Sequence, residues 1–278
     1  MSPPARIGFV GLGDQGAPIA QAIIDGGYPL HVWARHSASL GALGNRKFTV
    51  HESPGDMAKV SELVALCLPE DTDVLQLVVD GGLLAGMQPE SILVNHGTGL
   101  PETARHLAGL GAVRNVDVLD APVSGGNAVA RVRQLTTIVG GTDDGVARAR
   151  AIFDTFSKSV IHVGPAGSGQ YGKLFNNALM MMNHQNVIEV VNLALRLDLP
   201  VRSLIEVLRS GSASSFALQA IGPSITVDNV EHLASLELID MDLFSAATAS
   251  LGQKRMPVVE RALAGANGLS ELTRLTQS

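Results

Sequence analysis

The chain predicts a doubly wound α/β domain with a mainly parallel sheet, followed by an all-helical domain. Three observations predict it. A strand-like run, Ile7–Val10, leads into Gly11-Leu12-Gly13-Asp14-Gln15-Gly16 and then an apolar helical stretch. Strand-like and helical stretches then alternate as far as Val163. Beyond Gly164 the strand signals stop, and 173–199 contains neither Gly nor Pro. Alternating strands and helices bury a parallel sheet under helices on both faces. A helix-only tail reads as a separate layer. The expected division is 1–163 for the α/β domain and 164–278 for the helical one.

Composition supports two packed domains. Of the 278 residues, 46% are hydrophobic and 17% charged, so a large core can form. Aromatics are 4%, which leaves the core to Ala, Leu and Val. The net charge of −6 argues against a nucleic-acid partner, which calls for a basic stripe. The one cysteine, Cys67, cannot form an internal disulfide and suits a reducing cytoplasm. It sits in an apolar run and reads as core, not nucleophile. No apolar run reaches the ~18 residues of a membrane span. Met1 to Arg6 carries no signal-peptide pattern. No His/Cys/Asp/Glu cluster has metal-ligand spacing.

The elements follow in order. After the first strand, the glycines have distinct duties. Gly11 allows the tight turn, Gly13 lets backbone approach a pyrophosphate, and Gly16 lets helix and strand pack closely. Leu12, Asp14 and Gln15 complete the turn, and the helix that starts there offers N–H groups to phosphates. The second strand, 29–34, ends at Ala34, Arg35, His36 and Ser37. That end reads the adenosine ribose. With no acid there and Arg35 in place, NADP is expected, with NAD possible. Arg35 would pair the 2′-phosphate and Ser37 donate a hydrogen bond. The third strand ends at Leu68 and Pro69. The next, 92–94, leads to His96 and Thr98, and another leads to Ala121–Gly126. Strand carboxyl ends are where such sheets bind ligands. His96, beside Thr98, is a candidate pocket residue. His184, three turns along the long helix from Lys173, reads as a core histidine.

The helical half opens on Gly164-x-x-Gly167-x-Gly169-x-x-x-Lys173-x-x-x-Asn177. A glycine-rich entry leads into a long helix, with Lys173 and Asn177 one turn apart on one face. A lysine can carry the proton of a reacting hydroxyl, and a neutral amide can orient the oxygen without competing for that proton. Small residues at Ser124, Gly125 and Gly126 can cradle an anion.

Four stretches together resemble the β-hydroxyacid dehydrogenases, the 3-hydroxyisobutyrate dehydrogenase-like family. Residues 8–18 resemble its cofactor signature. Asp120-Ala121-Pro122-Val123-Ser124-Gly125-Gly126 resembles its substrate signature at seven positions. The Gly164–Asn177 pattern resembles its catalytic signature at five. Asp242-Leu243 falls where the family has Lys-Asp-Leu. The resemblance implies a Rossmann domain, a long interdomain helix and a helical domain that forms a homodimer or homotetramer. It implies hydride transfer between NAD(P) and a 3-hydroxy acid or its aldehyde acid. Lys173 aligns with the catalytic lysine and Asn177 with the substrate-orienting asparagine. Ser124 and Gly125 align with the carboxylate site, Gly126 completing the cradle. Thr98 aligns with the threonine on the nicotinamide side of the cofactor; Met241 and Asp242 are expected to contact the cofactor, with the lost lysine closest to the substrate end. The chain departs from the pattern at Gln15 (usually Met), at Asn95–Thr98, at Arg133-Gln134 (usually Gly-Thr) and at Met241 (usually Lys). The lost lysine points to a bulkier or less anionic substrate. An imine reductase has a related layout but lacks the Lys-x-x-x-Asn pair. A non-catalytic NADP-binding protein on the same fold would be expected to lose it.

Overall fold

The structure, a computed structural model, describes residues 5–277; the stretch Met1–Pro4 read above lies outside them. The contacts divide the chain into two units, 1–173 and 174–278.

The first unit is a nine-stranded sheet under helices. Its strands are β1 (Ile7–Val10), β2 (Leu30–Val32), β3 (Thr49–Val50), β4 (Leu63–Leu66), β5 (Ile92–Asn95), β6 (Asp117–Asp120), β7 (Val123–Ser124), β8 (Leu135–Gly140) and β9 (Ser157–Gly164). The order is β3-β2-β1-β4-β5-β6-β8-β7, with β9 on β8. The helices between them are α1 (Gly16–Asp25), α2 (Pro54–Val60), α3 (Asp71–Leu75), α4 (Leu83–Gly86), α5 (Pro101–Val113), α6 (Gly126–Arg131) and α7 (Asp143–Phe153). β1, β4 and β5 are buried throughout, as their continuous apolar runs require of central parallel strands. Ser53 and Thr142 start α2 and α7 by accepting the N–H of Asp56 and Gly145.

The strands from β3 to β6 run parallel, as expected. The sheet is mainly parallel, as expected, and β8 is where it departs from that direction. β8 is antiparallel to β6 and β7, and β9 is parallel to β8. A parallel step needs a crossover of a dozen or more residues. From β7 to β8 only ten residues, 125–134, are available, six of them in α6, so β8 folds back antiparallel on β7. Two packed faces share the unit's core, one around Ile19, Phe153 and Phe156, the other around Met57, Leu66 and Leu77.

The long helix α8 runs from Ser168 to Leu195, 28 residues, roughly 42 Å. It starts before Lys173, so the glycine-rich stretch is not a loop up to the lysine. Gly169 and Gly172 are helical. A Cβ on Gly169 would drive into the carbonyl oxygens of Asp120 and Ile138, and one on Gly172 would stand 2.7 Å from the Ile138 Cγ2. Glycine there lets the first turns of α8 lie against the strand ends, and this is why the first unit extends to Lys173 rather than ending at Val163.

The second unit contains the remainder of α8, then α9 (Val201–Ser210), α10 (Phe216–Ala220), α11 (Val230–Ala247), α12 (Met256–Asn267) and α13 (Leu269–Gln277). No strand occurs among its described residues. Ile188, Ile221, Leu269 and Leu272 form one core cluster, and Val191, Ile205 and Leu218 another. Gly265 brings α12 onto α8, since any Cβ there would collide with the Met181 carbonyl.

Candidate active site

The cofactor end is built on the turn after β1. Gly11 has φ of 95°, in the left-handed region, and a Cβ there would strike the Cys67 carbonyl. Gly16 has no room for a Cβ beside the Gly11 carbonyl, so α1 seats directly on the turn. Gly13 has open space around it, as a phosphate-facing residue needs. Gly13 and Asp14 are exposed, and the buried Oε1 of Gln15 has no hydrogen-bond partner among the described residues. Beside the turn lies a cavity of about 230 Å³. Gly11, Leu12, Ala34, Arg35, His36, Leu68 and Pro69 line it, together with Trp33, Ser39 and Asp73. A ribose with an adenine fits a space of this kind, with the turn's glycines toward the phosphates.

Two features of this cavity differ from expectation. Ser37 is exposed and does not line it; Ser39 does, one turn of 3-10 helix later. Arg35 is paired: its Nη2 lies 3.0 Å from the Asp73 Oδ1 on α3. Asp73 is therefore an acid beside the ribose end that the strand-end reading missed, because it comes from a different element.

The turn is tied to the substrate signature. The Asn127 side chain on α6 donates to the Asp14 carbonyl, and its Oδ1 accepts from the Arg131 Nε at 2.7 Å. The signature itself bends sharply. Gly125 and Gly126 have φ of 135° and 74°, and a Cβ on Gly125 would stand 2.7 Å from Val129. Two consecutive left-handed residues are open to glycine alone at low cost. Ser124, half-buried, ends β7 just before them. A few residues on, Arg133 has φ of 58° where the family pattern has glycine. Its guanidinium is held 2.6 Å from the Asp25 carboxylate, which also takes Arg46.

The loop 95–100 is clamped from α8. Gln170, 1% exposed, accepts the Gly99 N–H at 2.9 Å and donates to the Gly97 carbonyl at 2.8 Å. Asp71 accepts the Leu100 N–H at 2.8 Å. Thr98 sits between the two clamped glycines, half-buried. The Asp120 carboxylate, at the end of β6, accepts the N–H groups of Gly167 and Gln170 at 2.7 and 2.8 Å. Burial pushes this carboxyl up from its usual range, and the N–H bonds oppose that rise. Neither task has a local signal in the sequence, since each joins groups far apart in the chain.

His96 is not a pocket residue. It is 3% exposed, its Nδ1 lies 2.8 Å from the Ala121 carbonyl oxygen, and the rings of Phe153 and Phe156 meet it edge-on. Burial pushes its pKa down to about 4. Cys67 follows β4 directly instead of lying inside it, and burial pushes its thiol up to about 12, so it is inert as a nucleophile. No group of three or more metal-binding side chains is found among the described residues.

In the helical unit, Asn177 is 5% exposed. Its Nδ2 donates to the Asp240 Oδ2 at 2.6 Å, and its Oδ1 accepts from the Asn176 Nδ2 at 3.0 Å. One turn before it on α8, Lys173 is half-buried. His184 is fully buried, as expected of a core histidine, with its Nδ1 3.6 Å from Glu237. Met241 is buried at 1% exposure, whereas its neighbour Asp242 is exposed.

Two outcomes follow from this geometry. Gln170→Leu strands the Gly97 and Gly99 backbone groups, costing about 2–4 kcal/mol by urea unfolding, with weaker cofactor binding by fluorescence titration. His96 is held neutral in the fold, so the unfolded chain takes up its proton first as pH falls. Its contribution is present above about pH 6.5 and is lost progressively towards pH 4, up to ~3 kcal/mol. The wild-type Tm should therefore fall more steeply than that of His96→Leu across this window; parallel curves would contradict it.

Known proteins agree with this architecture. Residues 6–164 match the model for the NAD-binding domain of 6-phosphogluconate dehydrogenase. Residues 167–268 match that for the NAD-binding domain of NADP-dependent 3-hydroxyisobutyrate dehydrogenase. An NAD-dependent L-serine dehydrogenase of Pseudomonas aeruginosa is 32% identical over 219 residues, 78% of this chain and 74% of that protein. A 3-hydroxyisobutyrate dehydrogenase of the same organism is 33% identical over 218 residues, 78% and 73% of the two chains. The structure of a Mycobacterium tuberculosis 3-hydroxyisobutyrate dehydrogenase with L-serine superposes with a TM-score of 0.83 over 100% of both chains at 23% identity, which bears on the fold. With its dinucleotide turn, substrate signature and Lys-x-x-x-Asn helix in the family's order, this chain belongs to the β-hydroxyacid dehydrogenases, NAD(P)-dependent enzymes acting on CH–OH groups.

Proposed function

We propose that the protein is an NADP-dependent dehydrogenase or reductase interconverting a 3-hydroxy acid and its aldehyde acid, with Lys173 as general acid/base. The observation that carries this reading is the fixed amide of Asn177. Asn176 donates to its oxygen and Asp240 accepts from its nitrogen, so the NH₂ group has one defined direction. An amide held this way can donate to a substrate oxygen in one geometry only. Lys173, one turn earlier on the same helix, stands on the same face.

The cofactor supplies the hydride acceptor in oxidation and the donor in reduction. The chain's own residues do the rest. As hydride leaves the carbinol carbon, the Lys173 amine takes the hydroxyl proton; in reduction the ammonium returns it to the forming alkoxide. Asn177 donates to that oxygen. Ser124 and the N–H groups of Gly125 and Gly126 hold the substrate carboxylate. Thr98, on the loop clamped by Gln170, faces the nicotinamide side. Arg35 favours the 2′-phosphate of NADP. Asp73 at 3.0 Å from it supports a second reading, acceptance of NAD through the ribose hydroxyls.

A substrate panel with both cofactors tests this. Turnover of hydroxy acids, with kcat/KM higher for NADP than NAD and the preference reversed in Arg35→Asp, is expected. Lys173→Ala should lower kcat by at least about 10³-fold while still binding NADPH. A Lys173→Ala enzyme of normal kcat sinks the assignment.

The helical unit also supports self-association. Phe175, Leu179, Val190 and Leu193 form one stripe of α8 and are 43–61% exposed. Met181 and Val191, elsewhere on α8, are core. A second copy is the proposed cover for the stripe, as homodimer or homotetramer. Sedimentation at micromolar concentration should give at least a dimer, and a monomer overturns this.

A further inference from the structure

We propose that the groove along α1 beside Arg46, Arg131 and Arg133 is a binding site for a phosphate group, separate from the dinucleotide turn. The inference goes beyond the dehydrogenase reading and does not rest on it.

A cavity of about 160 Å³ lies along α1 and shares no lining residue with the cofactor cavity. Pro18, Gln21 and Asp25, on one face of the helix, line it from below. Arg46 follows the 3-10 helix, Arg131 ends α6, and Arg133 comes two residues later; these complete the charged lining. Asp25 is the one acid of that lining. Three cations against one anion leave the cluster two positive, in a chain whose net charge is −6. The fold assembles this excess, since Asp25 and Arg133 are 108 residues apart.

The cations are held in place. Arg46 meets both Asp25 oxygens, its Nε and Nη2 each at 2.8 Å. The Arg133 Nη2 lies 2.6 Å from the same carboxylate. Hydrogen bonding from Arg46, joined by the charge of Arg133, holds the Asp25 carboxyl below its usual range, so it is ionised at neutral pH and offsets one of the two. Arg131 is fixed separately, its Nε donating to the Asn127 Oδ1 at 2.7 Å, and it meets no carboxylate among the described residues. Arg133 also carries backbone strain. Its φ of 58° is in the left-handed region, at a position where the family pattern has glycine. Pairing alone does not call for an arginine there, because Asp25 already has a two-pronged partner in Arg46.

Crowded guanidiniums repel one another, and a doubly charged oxyanion relieves that repulsion. Guanidinium donors also match phosphate oxygens in pairs. The cavity equals the liquid volume of about five waters, room for a phosphate group but not for a dinucleotide. Side-chain exposures of 32% at Arg46 and 28% at Asp25 place the cluster partly out of water, where charge pairing strengthens.

Calorimetric titration of inorganic phosphate into the full chain saturated with NADPH tests this, because the cofactor then fills the dinucleotide turn. Saturable binding at one site per chain is expected, and potassium chloride at matched ionic strength should give none. Arg131→Gln and Arg133→Gly should each weaken phosphate binding by about tenfold or more. Glycine suits the backbone at 133, so that variant keeps its fold, which circular dichroism checks. Arg105→Gln, removing a guanidinium that pairs with Glu102 elsewhere, should leave phosphate binding unaltered. Glycerol 3-phosphate titrated in the same way separates the sources of the group. Binding at least as tight as that of phosphate assigns the site to a phosphomonoester; weaker binding assigns it to the free ion. No saturable binding, equal binding of chloride, or an affinity unchanged in either variant of Arg131 or Arg133 overturns the inference.

Discussion

The buried carboxylate of Asp120 is the junction on which the first unit's site depends. It ends β6 and accepts the N–H groups of Gly167 and Gln170, capturing the start of α8 on the strand ends. Those donors are among the first N–H groups of a helix, which have no partner within it. A negative group at a helix start also meets the positive end of its dipole. The same few residues then do a second task. Gln170, fixed by its own backbone bond to Asp120, reaches the carbonyl of Gly97 and the N–H of Gly99. Strand end, helix start and the loop of Thr98 form one polar network, buried and fully paired. Such networks specify a single arrangement because breaking any member leaves a desolvated group alone. Glycine at 169 is the steric condition for it, since no side chain fits against the Asp120 and Ile138 carbonyls.

Each unit sets its own local electrostatics. At the cofactor end, Arg35 is countered by Asp73, so the charge offered to a 2′-phosphate is moderated. The Asn127 side chain ties the glycine turn after β1 to α6. In the helical unit, α11 is acidic throughout and meets Asn177 through Asp240.

Much of this was legible in the residues. Gly11, Gly13 and Gly16 announced the turn because their reasons are local: a left-handed φ, a close approach and a packed helix start. The long helix and the all-helical tail were legible from the absence of breakers. The antiparallel turn of β8 was not, because direction depends on how much chain is available to cross over, and α6 is too short to show itself by periodicity. His96 was misplaced because adjacency to Thr98 says nothing of which face of a strand end a side chain takes. It turned into the core against Phe153 and Phe156.

By itself, then, the sequence determined the order of the main strands and long helices, the dinucleotide turn, and the presence of a lysine and an amide one helical turn apart. These rest on φ restrictions, periodicity and spacing, which act over a few residues. Only the tertiary structure decided that Asp73 faces Arg35, that Ser39 rather than Ser37 lines the cavity, that Gln170 clamps the Thr98 loop, and that Asp240 holds Asn177. Each of the first, third and fourth pairs groups 38 to 71 or more residues apart in the chain. Charge and hydrogen bonding act through space, and only packing brings such groups within a bond's reach.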